Sequence, residues 1–289
     1  MRPGTPPRLP SGLPKDIVVF IEADEERAGR LAYAAALAQS WQAHLIAIFV
    51  VNRLELTPGS GFARGGGLEA MLRQHHTTTR NAAAEARTLF DRIVADTGIS
   101  GEWRLSDHED GEALMLHARH ASLAIVGPPL RPTRPARMLS LSEDVIFASG
   151  RPTLLLPTGW PSHRVGRRIV VGWNGSREAA TAIALAMPFL TAADVVHLVV
   201  VPEARPNGLL GGDPGADMSR HLARNGVEVV LEQRPGTDAG TVLLDHARTV
   251  DADLLVMGAY GRPRISEFVF GGTTRTVLAK ANTPILLSR

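Results

Sequence analysis

The sequence of 289 residues has no cysteine, few aromatic residues and no long hydrophobic run. The absence of cysteine excludes a disulfide framework and a thiolate metal site, which fits an intracellular protein. No segment reaches the ~20 apolar residues that a membrane-spanning helix needs. Residues 1–14 are basic and rich in proline and glycine but lack the apolar core of a secretory signal. We therefore expect a disordered leader there, and a cytoplasmic protein with no membrane partner.

The chain also lacks an excess of charge of either sign. Its 31 basic and 29 acidic residues give a formal net charge of +2, and aromatic residues make up 5%. Nucleic-acid-binding proteins usually carry basic patches interleaved with aromatic side chains, so we predict no nucleic-acid partner. The apolar content of 44% can supply a sizeable core, and the length suits two domains of ordinary size.

The order of predicted elements occurs twice along the chain. Ile17-Val18-Val19 recurs as Ile169-Val170-Val171, and LAIVG, which ends at Gly127, recurs as LLVMG, which ends at Gly258. In each copy five strand-like runs alternate with helical segments. This alternation predicts an α/β fold with two doubly wound, mainly parallel five-stranded sheets, helices on both faces, and one domain repeated in tandem. The predicted domains are residues 15–157 and 165–289, and residues 158–164 are the predicted linker.

One glycine-rich stretch, VMGAYGRPRISEFVFGGTTRTV, stands out in the second copy. A buried strand stops at Gly258, Gly261 follows after two residues, and Gly271-Gly272 leads into Thr273 and Thr274 at the start of a helix. Uncrowded backbone N–H groups, the helix dipole and threonine hydroxyls together favour a phosphate. The alternative is a tight strand-to-helix connection that contains glycine for backbone reasons alone.

The pattern G-x2-G-x9-G followed by hydroxyl residues resembles the nucleotide-binding motif of the universal stress protein family. ATP-binding members of that family usually have Asp where this chain has Asn174, and a Ser or Thr directly after the last glycine, where this chain has Gly272. The resemblance implies that the second half binds ATP or another adenine nucleotide, with or without Mg²⁺. The residues to which it assigns this binding are Asn174, Gly175, Ser176, Val200, Gly258, Gly261, Arg262, Gly271, Gly272, Thr273 and Thr274. Ser176 is equally suited to cap the following helix.

Tandem fusion of two such halves also occurs in the universal stress protein family. The resemblance therefore implies an internal pseudo-dimer, and it leaves a further homodimer open. It implies a sensor or regulator in the stress response that acts through its conformation or through a regulatory protein partner.

The first half departs further from the motif. Pro128-Pro129 stand where the second half has Ala259-Tyr260, and two prolines remove two N–H donors. Glu22 and Asp24 follow the first strand, where they would place negative charge beside a phosphate. We therefore predict that nucleotide binding is confined to the second half.

Catalytic and metal motifs are not evident. There is no GxSxG, Cys–His pair or triad, so we predict no catalytic residues. His117 and His120 are three residues apart on a predicted helix, and Asp107-His108-Glu109-Asp110 is locally acidic, but neither has a full ligand set. We predict no metal site. Two alternative functions stay open: an interaction module of the same fold that binds no nucleotide, and a slow adenine-nucleotide hydrolase.

Overall fold

The structure is a computed structural model that describes residues 13–51, 66–107, 111–128, 140–161, 163–202, 213–259 and 272–289. Three of the predicted site residues, Gly261, Arg262 and Gly271, lie outside the described residues. So do residues 1–12 of the predicted leader and Pro129.

Strands and helices alternate through the described residues. The strands are β1 (Asp16–Ile21), β2 (His44–Val51), β3 (Gly101–Asp107), β4 (Leu123–Val126), β5 (Thr153–Leu155), β6 (Arg168–Trp173), β7 (Val195–Val200), β8 (Val229–Gln233), β9 (Leu254–Gly258) and β10 (Ile285–Ser288). The helices are α1 (Arg27–Trp41), α2 (Gly66–Thr97), α3 (Gly111–Arg119), α4 (Leu141–Ala148), α5 (Arg177–Leu190), α6 (Ala216–Arg224), α7 (Ala239–Thr249) and α8 (Gly272–Lys280).

The strands form one ten-stranded sheet in the order β3-β2-β1-β4-β5-β10-β9-β6-β7-β8. Each half contributes five parallel strands in the same relative order, so the predicted α/β class and tandem repeat are confirmed. The halves were predicted as two five-stranded sheets, but they are joined edge to edge. β5 and β10 pair in antiparallel fashion, with Leu154 opposite Leu286. This pairing satisfies backbone groups that two separate sheets would leave unpaired at their edges.

The central strands are apolar on both faces because helices cover both faces of the sheet. In β1 and β9 nearly every residue is buried. Apolar residues of α1, α2, α5 and α6 pack into the core on one face. Those of α3, α4, α7 and α8 pack into the core on the other. Doubly wound folds bind their ligands beyond the carboxyl ends of the strands.

Aromatic contacts join the halves on each side of the β5–β10 pair. On one face, the rings of Trp41 in α1 and Phe189 in α5 meet edge to face, with centroids 4.6 Å apart. On the other face, the Arg289 guanidinium lies 5.8 Å from the centroid of the Phe147 ring in α4. The predicted linker, residues 158–164, falls between β5 and β6. The predicted domain boundaries themselves stay a prediction.

None of the described helices combines the length and the apolar character that crossing a bilayer requires.

Candidate functional site at the carboxyl ends of β6, β7 and β9

Three parallel neighbours, β7, β6 and β9, end at one edge of the sheet. Trp173 at the end of β6 pairs with Val200 at the end of β7, and Gly172 pairs with Met257, the residue before Gly258. The chain leaves β6 towards β7 on one side, while β9 flanks β6 on the other. This arrangement is a topological switch point, the place where open α/β sheets bind ligands. The structure therefore brings the turn after β6, Val200 and Gly258 together.

The turn after β6 is built by its own side chains. Asn174 Oδ1 accepts a hydrogen bond from the backbone N–H of Ser176 at 3.1 Å. Ser176 Oγ accepts one from the backbone N–H of Ala179 at 3.1 Å and so caps α5. Gly175 between them has φ of +68°, which favours glycine. Asn174 and Ser176 thus have structural roles in this turn, whatever else they contact.

Gly258 allows α5 to lie directly on the end of β9. A Cβ atom at residue 258 would lie 2.5 Å from both Ala179 N and Glu178 C, which are backbone atoms. Only glycine permits this approach without moving the helix. The glycine that the sequence motif assigns to phosphate binding therefore also has a packing reason.

Glu178, in the first turn of α5, is a buried carboxylate that sequence reasoning missed. It is 5% exposed and accepts a hydrogen bond from Arg177 Nε at 2.6 Å. Burial alone would raise the pKa of Glu178, but hydrogen bonds from Arg177, the helix backbone and Ser176 outweigh it and lower the pKa. The carboxylate is therefore ionised near neutral pH, beside the capped end of α5.

Val200 forms an apolar wall of the site and is fully buried. Gly215, which precedes α6 with φ of +93°, lies against it. A Cβ atom at residue 215 would be 2.9 Å from Val200 Cγ2 and 2.7 Å from Leu231 Cδ1. The first turn of α6 is therefore packed closely onto the end of β7.

The start of α8 carries the predicted hydroxyls. Gly272 is exposed, and a Cβ atom there would meet no described atom within 4 Å. Thr273 is half-buried and Thr274 is 3% exposed. Helices that follow a parallel strand begin at its carboxyl end, so α8 begins at the same edge as the turn after β6.

The starts of α7 and α8 are held together at this edge. A Cβ atom at Gly240 would lie 2.8 Å from the carbonyl oxygen of Thr273. The Asp238 carboxylate accepts hydrogen bonds from the N–H of Gly240 at 3.0 Å, the hydroxyl of Thr241 at 2.8 Å and that of Thr276 at 3.4 Å. Partial burial would raise the pKa of Asp238, but these hydrogen bonds outweigh it and lower the pKa.

The corresponding place in the first half contains an ion pair. The Arg30 side chain is 3% exposed, and its Nη2 donates to Asp24 Oδ2 at 2.9 Å. Its Nη1 donates to the carbonyl of Phe20 in β1 at 3.2 Å. The guanidinium lies against Gly127, where any Cβ atom would collide with it. Asp24 is thus paired with an arginine of its own half. That Glu22 and Asp24 would repel a phosphate stays a prediction.

The start of α4 corresponds to the start of α8, and it is also closed in the first half. Ser142, next to the first residue of α4, is buried and donates to the carbonyl of Gly127 at 2.7 Å. Arg30 and Ser142 together cover the end of β4. Counted from the matching strand ends, Arg30 corresponds to Ala182 in α5, so the described helix of the second half carries no guanidinium at this position.

Histidines cluster in two places among the described residues. His117 and His120 both lie near Arg104 in β3. A second cluster, which sequence reasoning missed, joins His197, Glu232 and His246. Its members are far apart in the sequence and come from three elements, so no spacing motif marks them.

The fold defines the class of protein: one in which a doubly wound α/β half is repeated in tandem. The model of the universal stress protein family matches residues 166–289, so the second half is a universal stress protein domain, and the resemblance inferred from the glycine pattern is confirmed. No curated protein matches the chain.

Solved structures share the whole two-half architecture. A universal stress protein from Archaeoglobus fulgidus superposes with a TM-score of 0.68 at 18% identity, over 94% of this chain and 98% of that one. A functionally unknown protein from Pseudomonas aeruginosa superposes with a TM-score of 0.58 at 17% identity, over 95% of this chain and 92% of that one. At these identities the similarity shows the fold.

Proposed function

We propose that the chain binds ATP or another adenine nucleotide in its second half and acts as a sensor or regulator in the stress response. The observation that carries this proposal is the contrast between two corresponding places. In the first half the end of β4 is covered by the buried Arg30–Asp24 pair. In the second half the helix position of Arg30 is taken by Ala182, and a Cβ atom at Gly272, the first residue of α8, would meet no described atom within 4 Å.

The chemistry at this edge suits a nucleotide phosphate. The first N–H groups of α8 have no partner within their own helix, and the helix dipole favours an anion there. Thr273 and Thr274 add hydroxyl groups in the first turn. Trp173, partly exposed at the end of β6, would supply apolar surface for a base or ribose. Mg²⁺ would accompany ATP through its phosphates.

The experiment is a calorimetric titration of the full chain with ATP, using variants at the two ends of α8. Gly272→Val should weaken ATP binding by more than about tenfold, because a branched side chain at the first turn obstructs close approach of a phosphate to the backbone. The fold should survive, since the added Cβ meets open space. Ala279→Val, at the exposed other end of the same helix, is the matched control and should bind like the parent.

The titration also separates the alternatives. One nucleotide per chain is expected, and two would contradict confinement to the second half. A folded parent that binds no ATP would replace this proposal with the interaction module. Release of ADP or AMP during prolonged incubation would favour the hydrolase. A Gly272→Val variant that binds ATP as tightly as the parent would move the site away from α8.

A further inference from the structure

Three potential metal ligands, which are not among the residues of the nucleotide site proposed above, converge near the outer edge of the second half. They are His197 on β7, Glu232 on the edge strand β8, and His246 on α7. His197 Nδ1 lies 2.7 Å from Glu232 Oε1, and His246 Nε2 lies 3.0 Å from the same oxygen. One ligand atom from each residue lies within 4.8 Å of the others. Two imidazoles and one carboxylate therefore point at a single place.

His246 is the buried member of this cluster. It is 5% exposed, and its Nε2 has no hydrogen-bond partner among the described residues, in spite of its short distance to Glu232. A buried polar atom without a partner costs free energy, so such atoms normally indicate a ligand, a water or a functional role. Burial lowers the pKa of His246 more strongly than the nearby Glu232 carboxylate raises it. Metals bind the neutral form of an imidazole.

The Glu232 carboxylate is oriented by a second charge. Its other oxygen, Oε2, forms an ion pair with Arg234, so Oε1 is the oxygen that faces the two histidines. Burial would raise the pKa of Glu232, but hydrogen bonds from His197 and Arg234 and the charges nearby outweigh it and lower the pKa. Ligating carboxylates are commonly held in this way by an outer partner.

The first half has the opposite charge in the corresponding place. Phe20, Ile48 and Arg104 form one row across β1, β2 and β3, and Gly172, Val199 and Glu232 form the matching row across β6, β7 and β8. Arg104 thus occupies the position of Glu232. Its Nη1 lies 3.4 Å from His117 Nδ1 and 3.5 Å from His120 Nε2. A guanidinium is always charged and has no lone pair to offer, so this cluster cannot take a cation.

We propose that His197, Glu232 and His246 form a binding site for one divalent transition-metal ion, with Zn²⁺ as the best match. Two imidazoles and a carboxylate are a typical zinc ligand set, and they leave a fourth position for water. At Zn–ligand distances of about 2.0–2.1 Å, tetrahedral ligands stand roughly 3.3 Å apart. The observed 2.7 and 3.0 Å are shorter than this, so Glu232 would shift outward on binding, and the two imidazole nitrogens, which lie within 4.8 Å of each other, would adjust to the same spacing. Mg²⁺ and Ca²⁺ prefer all-oxygen sites and should bind weakly here.

The test is a calorimetric titration of the chelator-treated full chain with Zn²⁺. The parent should bind one equivalent. Glu232→Gln, His197→Gln and His246→Gln should each weaken binding by more than about tenfold, because even outer partners of a metal site typically contribute that much. Zinc should also raise the melting temperature of the parent, since it binds the folded state, and this rise should be lost in the three variants.

The control is His117→Gln in the first-half cluster, which should bind zinc like the parent. Mg²⁺ in place of Zn²⁺ should give no comparable binding. Circular dichroism identifies any variant that fails to fold, and Glu232→Gln changes the fewest atoms. The proposal would be overturned if the parent does not bind zinc, or if the folded variants bind it as tightly as the parent. The three side chains would then form only a hydrogen-bonded cluster.

Discussion

The two halves share strand order and register but differ at the carboxyl ends of their first and fourth strands. In the first half, Arg30 and Ser142 fill the space over Gly127. In the second half, the backbone of α5 covers Gly258, and Gly272 at the start of α8 faces open space. The comparison teaches that the same backbone can be stabilised by an internal ion pair or by close packing of a helix, and our proposal adds that the second arrangement accepts an external anion. The buried side chains of Arg30 and Ser142 distinguish the first half from the second.

The largest expected effect on stability comes from removing the Arg30 side chain. Arg30→Met should destabilise the protein by about 3–5 kcal/mol, because it leaves the largely buried Asp24 carboxylate and the Phe20 carbonyl without their donor. Chemical denaturation followed by circular dichroism measures the loss. The matched control is Arg167→Met, which breaks the exposed Arg167–Asp194 pair and should cost less than about 1 kcal/mol. Similar losses of stability in both variants would show that the buried Arg30–Asp24 pair contributes no more than an exposed ion pair.

A second experiment tests the packing reason for Gly258. Gly258→Ala should destabilise the second half by about 1–3 kcal/mol, because its Cβ would overlap backbone atoms of α5 that cannot move without displacing the helix. Gly272→Ala is the control, and its added methyl meets no neighbour. Unfolding midpoints of both variants are compared with the parent. A Gly258→Ala variant as stable as the parent would mean that α5 does not lie this close.

The smallest expected effect is the loss of folding stability at low pH that follows from protonation of Asp238. Its pKa is lowered in the folded state, so its contribution to stability is present above the unfolded pKa of about 3.9 and is lost as pH falls through the lower folded value. Asp238→Asn keeps a capping oxygen but cannot titrate. The parent should therefore lose more stability than the variant between about pH 6 and pH 3. Urea midpoints at both pH values measure this difference, and parallel losses would exclude Asp238 as a contributor.

Much of the fold could be predicted because buried parallel strands are continuous apolar runs. The repeated pattern predicted two halves of five mainly parallel strands each, and each half contributes five parallel strands to the sheet. The β5–β10 pairing could not be predicted in this way. It joins residues from different halves, and local periodicity carries no information on the partner of an edge strand.

The candidate site was predictable only in part. The position of Asn174, Gly175 and Ser176 beside Gly258 follows from the parallel strand order. Arg30 lies in an alanine-rich helix where no motif marks it, and only its proximity to Asp24 and Gly127 reveals its role. His197, Glu232 and His246 likewise meet only in three dimensions. Charged groups that neutralise one another across elements leave no local pattern in a sequence.

The antiparallel join of β5 and β10 has a consequence for synthesis on the ribosome. About 130 residues separate Leu155 from its partner Ile285, so at translation rates of about 5–20 residues per second the β5 edge waits on the order of ten seconds for its complement. During that interval the first half presents an unpaired strand edge, and the β10 of a neighbouring nascent chain has the same shape as its own. Slower elongation between the two strands therefore lengthens the window for domain swapping, and crowded polysomes raise its rate.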